Sequence, residues 1–276
     1  MSIYSVAIIA QKEIRDALRN RWFIAYAAAF AAMALALSYL SLAGTGIEGL
    51  AGFGRTTAGL VNLVLLFVPV IALSISATTL AGERERGTLS YLLAQPVSRL
   101  EVMIGKYVGL AISLIAAIGL GFGLAGVTIA YRGGGESAGD YLLLVVMSMV
   151  LGLAMLSAGM LISSVARRAS LAIGLAIGLW FCLALLSDLG LMGGAVVFRL
   201  RIDELFHLSL LNPLQVFKMA VLRSVNASLD VLGPAGAYAT QTYGRWLPML
   251  FGAAMVVWIA MPLAAASLLF ARRPVE

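Results

Sequence analysis

The chain has 276 residues, of which 62% are hydrophobic and 12% charged, with a mean hydropathy of +0.99 and a formal net charge of +6. That much apolar surface cannot be hidden inside one soluble core of this length, which leaves a polytopic membrane protein. Topology and anionic lipid account for the positive charge, so nucleic acid is not an expected partner.

Residues 1–21 come first. On a helical wheel Ile3, Val6, Ala7, Ala10, Ile14, Ala17 and Leu18 share one face, and Lys12, Arg15, Asp16 and Arg19 lie opposite. The segment is expected to form an amphipathic helix on the membrane surface. Ile8 and Ile9 fall on the polar side, so either they touch another protein or the segment is only a basic flank that orients the first span. The apolar run after it has full spanning length and serves as its own insertion signal.

Six apolar stretches reach the roughly 20 residues that a helix needs to cross about 30 Å of hydrocarbon. They are 22–43, 58–81, 103–131, 141–165, 171–192 and 247–270. Strand-spaced alternation is absent, so the fold class is an all-α integral membrane protein, one domain over 1–276. Lys12, Arg15, Arg19 and Arg21 flank the first span; Arg84, Arg86, Arg99 and Lys106 fall in the second loop; Arg167 and Arg168 in the fourth; Arg272 and Arg273 in the C-terminal tail. The short first and third loops hold Arg55 and Arg132. The positive-inside rule therefore places both termini and the 82–106 run in the cytoplasm.

The coupling segment, 82–101, is the polar interruption that matters most. Gly87 and Thr88 start a short helix whose Leu89, Leu92 and Leu93 share a face, and Pro96 stops it. Such a helix fits a groove in another protein, or rests as an interfacial helix with Glu83, Arg84, Glu85 and Arg86 solvated. Ser98 and Glu101 form a capping box with Val97 and Val102 at the staple positions, so the third span's helix begins at Ser98 and projects below the bilayer.

The run Glu83-Arg-Glu-Arg-Gly-Thr-Leu-Ser-Tyr-Leu-Leu-Ala-Gln-Pro-Val-Ser-Arg-Leu-Glu-Val-Met-Ile-Gly-Lys106 resembles the coupling region of ABC-2 type permeases. The resemblance implies a homodimer of six-span permeases in the bacterial inner membrane, docked on a cytosolic ATPase dimer that binds ATP and Mg²⁺. This chain itself would bind no cofactor. Glu83 and Glu85 would pair with basic groups on the ATPase, and Leu89, Leu92 and Leu93 would fill its groove. Ser90 stands where relatives often have Glu.

The outer segment, 193–246, is long enough for a role of its own. Asn212 as N-cap and Pro213 at the first helical position start a helix with Leu214, Phe217, Val221 and Val225 along one side. That side folds back as a re-entrant pair at an outer gate, binds an outer partner, or lies on headgroups. The stretch from Asp203 to Lys218 resembles the permease of the copper-processing ABC system for nitrous oxide reductase maturation. That likeness implies a periplasmic β-helical partner and a sulfur or copper cargo. General ABC-2 exporters carry an Asn-Pro here as well.

Other constellations are weaker. Gly105-Lys106 has the end of a phosphate loop, but Leu100 replaces its first glycine and Tyr107 its Ser or Thr, so ATP hydrolysis is expected in a separate subunit. His207 and Cys182 each stand alone, and no metal site is expected. Met147, Met149, Met155 and Met160 crowd the fourth span without sharing one face, which favours packing over copper(I). Gly105/Gly109, Gly119/Gly123 and Gly174/Gly178 have the spacing of close helix contacts. Asp188 is the single charge expected to come close to a span interior, which argues against an ion-coupled transporter. A self-contained channel or a membrane scaffold remain the rival classes, and paired carboxylates or a nucleophile with its base are missing for an enzyme.

Overall fold

A computed structural model describes residues 2–43, 50–133, 138–196, 201–224 and 234–272. Val225 and Arg273, and the side chains of Arg55, Arg132 and Asp188, lie outside the described set. Every described element is helical: α1 (Ile3–Arg19), α2 (Arg21–Ala43), α3 (Leu50–Glu85), α4 (Thr88–Leu93), α5 (Arg99–Gly133), α6 (Ala138–Val165), α7 (Ala169–Val196), α8 (Ile202–Leu210), α9 (Pro213–Ser224), α10 (Pro234–Tyr243), a 3-10 turn at Gly244–Trp246, and α11 (Leu247–Arg272).

Five of these, on α2, α3, α5, α6 and α10–α11, are long and apolar enough to cross a membrane. In α7 the described apolar stretch, Ala169–Leu185, occupies the place of the fifth expected span. The chain is thus a multi-pass membrane protein. α3 is longer than its expected span at both ends and runs unbroken to Glu85, because nothing in Ala-Gly-Glu-Arg-Glu breaks a helix before Gly87. Gly82, Glu83 and Arg84 therefore belong to a span helix, not to a loop.

α3 and α6 form the central pair, with α11 on α6, α7 on α3, and α1 and α2 on α5. Their contact buries Val64, Val68, Ala72 and Leu80 of α3 with Leu151, Met155 and Met160 of α6. Two of the α6 methionines are thus fully buried in the apolar core, and Met147 and Met149 pack against its edge. On the other flank Phe30 of α2 meets Phe122 of α5 edge to face at 5.3 Å.

The bundle has two polar ends. At one, α1 begins beside the start of α5, and Arg99 Nη1 donates to the Phe270 and Ala271 carbonyls of α11 at 3.1 Å each. There too Arg84 donates to the Ala166 carbonyl, and Glu85 Oε2 accepts the Ala169 N–H at 2.8 Å, satisfying an orphan donor at the start of α7. The four basic segments expected on one side of the membrane thus converge on one end.

At the opposite end α8 and α9 meet at 106°. Asn212 caps α9 as expected: its Oδ1 accepts the Leu214 N–H at 3.0 Å, and its Nδ2 donates to the Leu183 carbonyl of α7 at 2.7 Å. Leu214, Phe217 and Val221 are buried, with α9 packed against α6, α11, α7 and α3. The apolar side of α9 is covered by the chain itself.

Candidate functional site at the polar end of the bundle

α4 hangs between α3 and α5 on two short connections. Gly87, at φ 71, closes α3 in the left-handed conformation that an L side chain resists, and its N–H bonds to the Arg84 carbonyl. Thr88 Oγ1 donates to the Glu83 carbonyl at 3.2 Å, and Ser90 Oγ to the Gly87 carbonyl at 2.7 Å. On the far side, past Pro96, the capping box forms as read. Ser98 Oγ accepts the Glu101 N–H at 3.2 Å, while Glu101 Oε2 accepts the Ser98 N–H at 2.8 Å. The other Glu101 oxygen takes the Ser2 N–H at 2.5 Å and so fastens the start of α1 to the start of α5.

The face of α4 is a correction to the sequence reading. Leu89, Leu92 and Leu93 do share a face, but Leu89 is turned inward at 3% exposed, while Leu92 and Leu93 touch the core and stay half-buried at its edge. The exposed face carries Thr88, Ser90 and Tyr91, followed by Ala94, Gln95 and Pro96, with Tyr91 77% exposed. Leu89 mounts the helix on its own chain, and the surface left for a partner is the polar face with Tyr91, bordered by the half-buried Leu92 and Leu93.

Of the two acidic residues, Glu83 is turned inward while Glu85 stays exposed. Glu85 caps α7, and Glu83 is buried, with Oε1 2.8 Å from Lys106 Nζ and 2.9 Å from Lys12 Nζ. Lys106 is fully buried on α5 and also meets Glu13 Oε1 at 2.6 Å. Lys12 lies 3.2 Å from Glu13 and 3.3 Å from Asp16. Two lysines and two glutamates from α1, α3 and α5 thus close a charge cluster directly under α4. Burial works against a charged Lys12, yet the Glu83 hydrogen bond and the Glu13 and Glu83 charges prevail and hold its ammonium above the ordinary lysine range.

The Gly105-Lys106 pair owes its place to α1. A Cβ at Gly105 would stand 2.8 Å from Ile9 Cβ, and one at Gly109 would crowd the Ala10 carbonyl and Glu13 Cβ, so these glycines let the two backbones meet. That contact explains why Ile9 sits off the apolar face of α1: it is buried against α5, while Ile8 is 50% exposed.

Glu13, Lys106, Asn20 and Tyr91 were not singled out for these roles by sequence. Two signals point to them in retrospect. Glu13 lies on the wheel beside Val6, Ala10 and Ala17, and Lys106 falls inside the apolar stretch 103–131. Asn20, whose Oδ1 accepts the Trp22 and Phe23 N–H groups at 3.0 and 3.4 Å, caps the first span from the turn after α1.

Comparison with known proteins shows the family. The family described as ABC-2 family transporter protein matches residues 7–275. A protein of Stutzerimonas stutzeri named probable ABC transporter permease protein NosY is 32% identical over 274 residues, 96% of this chain and 97% of its own length. The protein of the same name from Pseudomonas aeruginosa is 33% identical over 275 residues, 97% and 98% of the two chains. The chain belongs to the ABC-2 family of transporter permeases and resembles the NosY permeases over nearly its whole length.

Proposed function

We propose that the chain is the membrane subunit of an ATP-driven transporter in the bacterial inner membrane, dimeric, with the α4 end in the cytoplasm. A separate ATPase dimer binds ATP and Mg²⁺, seats α4, and tilts the spans attached to it. The observation that carries the reading is the mount of α4: Leu89 is buried in its own chain, Tyr91 is exposed, and both connections are capped. A rigid mount turns movement of α4 into movement of α3 and α5 instead of loop slack. Homodimerisation is supported by α7, where Gly174 and Gly178 meet nothing among the described residues within 4 Å and lie among exposed Leu171, Ile173, Leu175 and Ile177.

For the cargo we propose a sulfur or copper species, or mechanical work on an outer β-helical partner, for nitrous oxide reductase maturation, a reading that rests on the resemblance of the Asp203–Lys218 stretch. Export of another substrate is the alternative within the family. The test is purification of the chain from its native membrane in mild detergent, with mass spectrometry of what remains bound. A stoichiometric ATPase and an outer-face repeat protein support the full reading. An ATPase without the outer protein supports general export, and the chain alone contradicts both.

A further inference from the structure

Lys106 is fully buried, and an ammonium out of water is stable only where carboxylates replace its hydration. It has two, Glu13 at 2.6 Å and Glu83 at 2.8 Å, each from a different helix. Lys12, next to Glu13 on α1, returns to the same Glu83 oxygen at 2.9 Å. Two positive and two negative groups therefore balance within one knot, and Asp16 adds a further carboxylate at its exposed rim.

Position gives the knot its meaning. Glu83 lies one short turn before Gly87, so it sits at the root of α4, and Glu101 holds Ser2 at the other root. α1 is thus tied on both sides of α4. Its packing on α5, with Ile9 seated over Gly105 and Glu13 Cβ over Gly109, sets how close those two helices come. The charge knot supplies the directional contacts that fix α1 along its own axis.

We propose that Lys106 is a positioning residue: by locking Glu13 of α1 to Glu83 of α3, it makes α1, α4 and the start of α5 tilt as one body when α4 is pushed. The inference rests on the proposed ATPase coupling and assigns the amphipathic helix a part in it, as the splint of the lever. Packing over Gly105 and Gly109 holds α1 to α5, and the charges on Glu83 tie it to α3 as well.

The test uses the complex purified with its ATPase, in a Cys182→Ser background, with spin labels at Gln11→Cys on α1 and Gln95→Cys beside α4. A second pair at Leu208→Cys and Met249→Cys reports the opposite end. Lys106→Met alone leaves an unbalanced buried charge and can lower folding yield. Glu13→Gln with Lys106→Met removes one charge of each sign and leaves Lys12 on Glu83, so it is the decisive variant. Expected is wild-type assembly and basal ATP hydrolysis, loss of the single narrow Gln11–Gln95 distance, and loss of the ATP-driven shift at the opposite end. A double variant that keeps both the narrow distance and the shift overturns the proposal. If the wild-type protein binds no ATPase, the coupling reading fails instead, and the Gln11–Gln95 distance still decides whether Lys106 locks α1: a narrow distance in the double variant overturns it and a broad one upholds it.

Discussion

At the end of the bundle that carries α4, elements are joined by charge: Lys106 and Lys12 on Glu13 and Glu83, Glu85 on the start of α7, Arg99 on the end of α11. At the other end α9 is held by apolar burial of Leu214, Phe217 and Val221 and by the Asn212 amide, while Phe206 packs on Tyr243 with ring centroids 5.3 Å apart. The difference is one of geometry. Charged hydrogen bonds fix direction and are costly to break on one side only. Apolar contacts tolerate sliding as long as area is kept. Under the proposed coupling, this division leaves the end that would be pushed stiff and the end that would open repackable.

The comparison is broken most severely by removing one charge from the stiff end. Lys106→Met should destabilise by about 3–5 kcal/mol, read as a fall in melting temperature in detergent. Adding Glu13→Gln should return most of that loss. A smaller effect belongs to the apolar end. Asn212→Ala removes a cap and leaves the Leu183 carbonyl without its amide, and should cost about 1–2 kcal/mol. Gly87→Ala forces a side chain into the left-handed region and should cost about 1–2 kcal/mol, also misdirecting α4. Tyr91→Asp should change stability by no more than about 0.5 kcal/mol, yet lower ATPase association measured by co-purification. Least affected is the response to pH. Lys12 is held charged above the ordinary lysine range, so its contribution is complete at neutral pH and fades only as pH rises past that range. Melting temperature should not drift from this source between about pH 6 and pH 9.

What sequence reveals follows the distance over which each contact acts. The capping box of Ser98 and Glu101, the glycine stop at Gly87 and the Asn212-Pro213 start are local, and each forms as read. The apolar lengths of the spans are equally local, although α3 overran its span because helix propensity, not hydropathy, decides where a helix ends. The facing of Leu89, Leu92 and Leu93 was not legible: three leucines on one side of a short helix look the same whether they meet a partner or their own chain. Glu83 was misread for a related reason. Its partners lie 23 and 71 residues away, and nothing in a polar run tells a solvated glutamate from one aimed at a buried lysine. Fold was therefore easier to read than site, since the site is made by long-range pairing of charges.

The account turns on the outward face of α4. A photo-crosslinking amino acid placed at Tyr91, compared with one at exposed Trp246 near the opposite end, tests it in intact membranes. The account predicts a covalent adduct with a cytosolic ATPase from position 91 and none from position 246. Absence of that adduct at 91 in membranes that hold the assembled complex, or its appearance at 246, would contradict it.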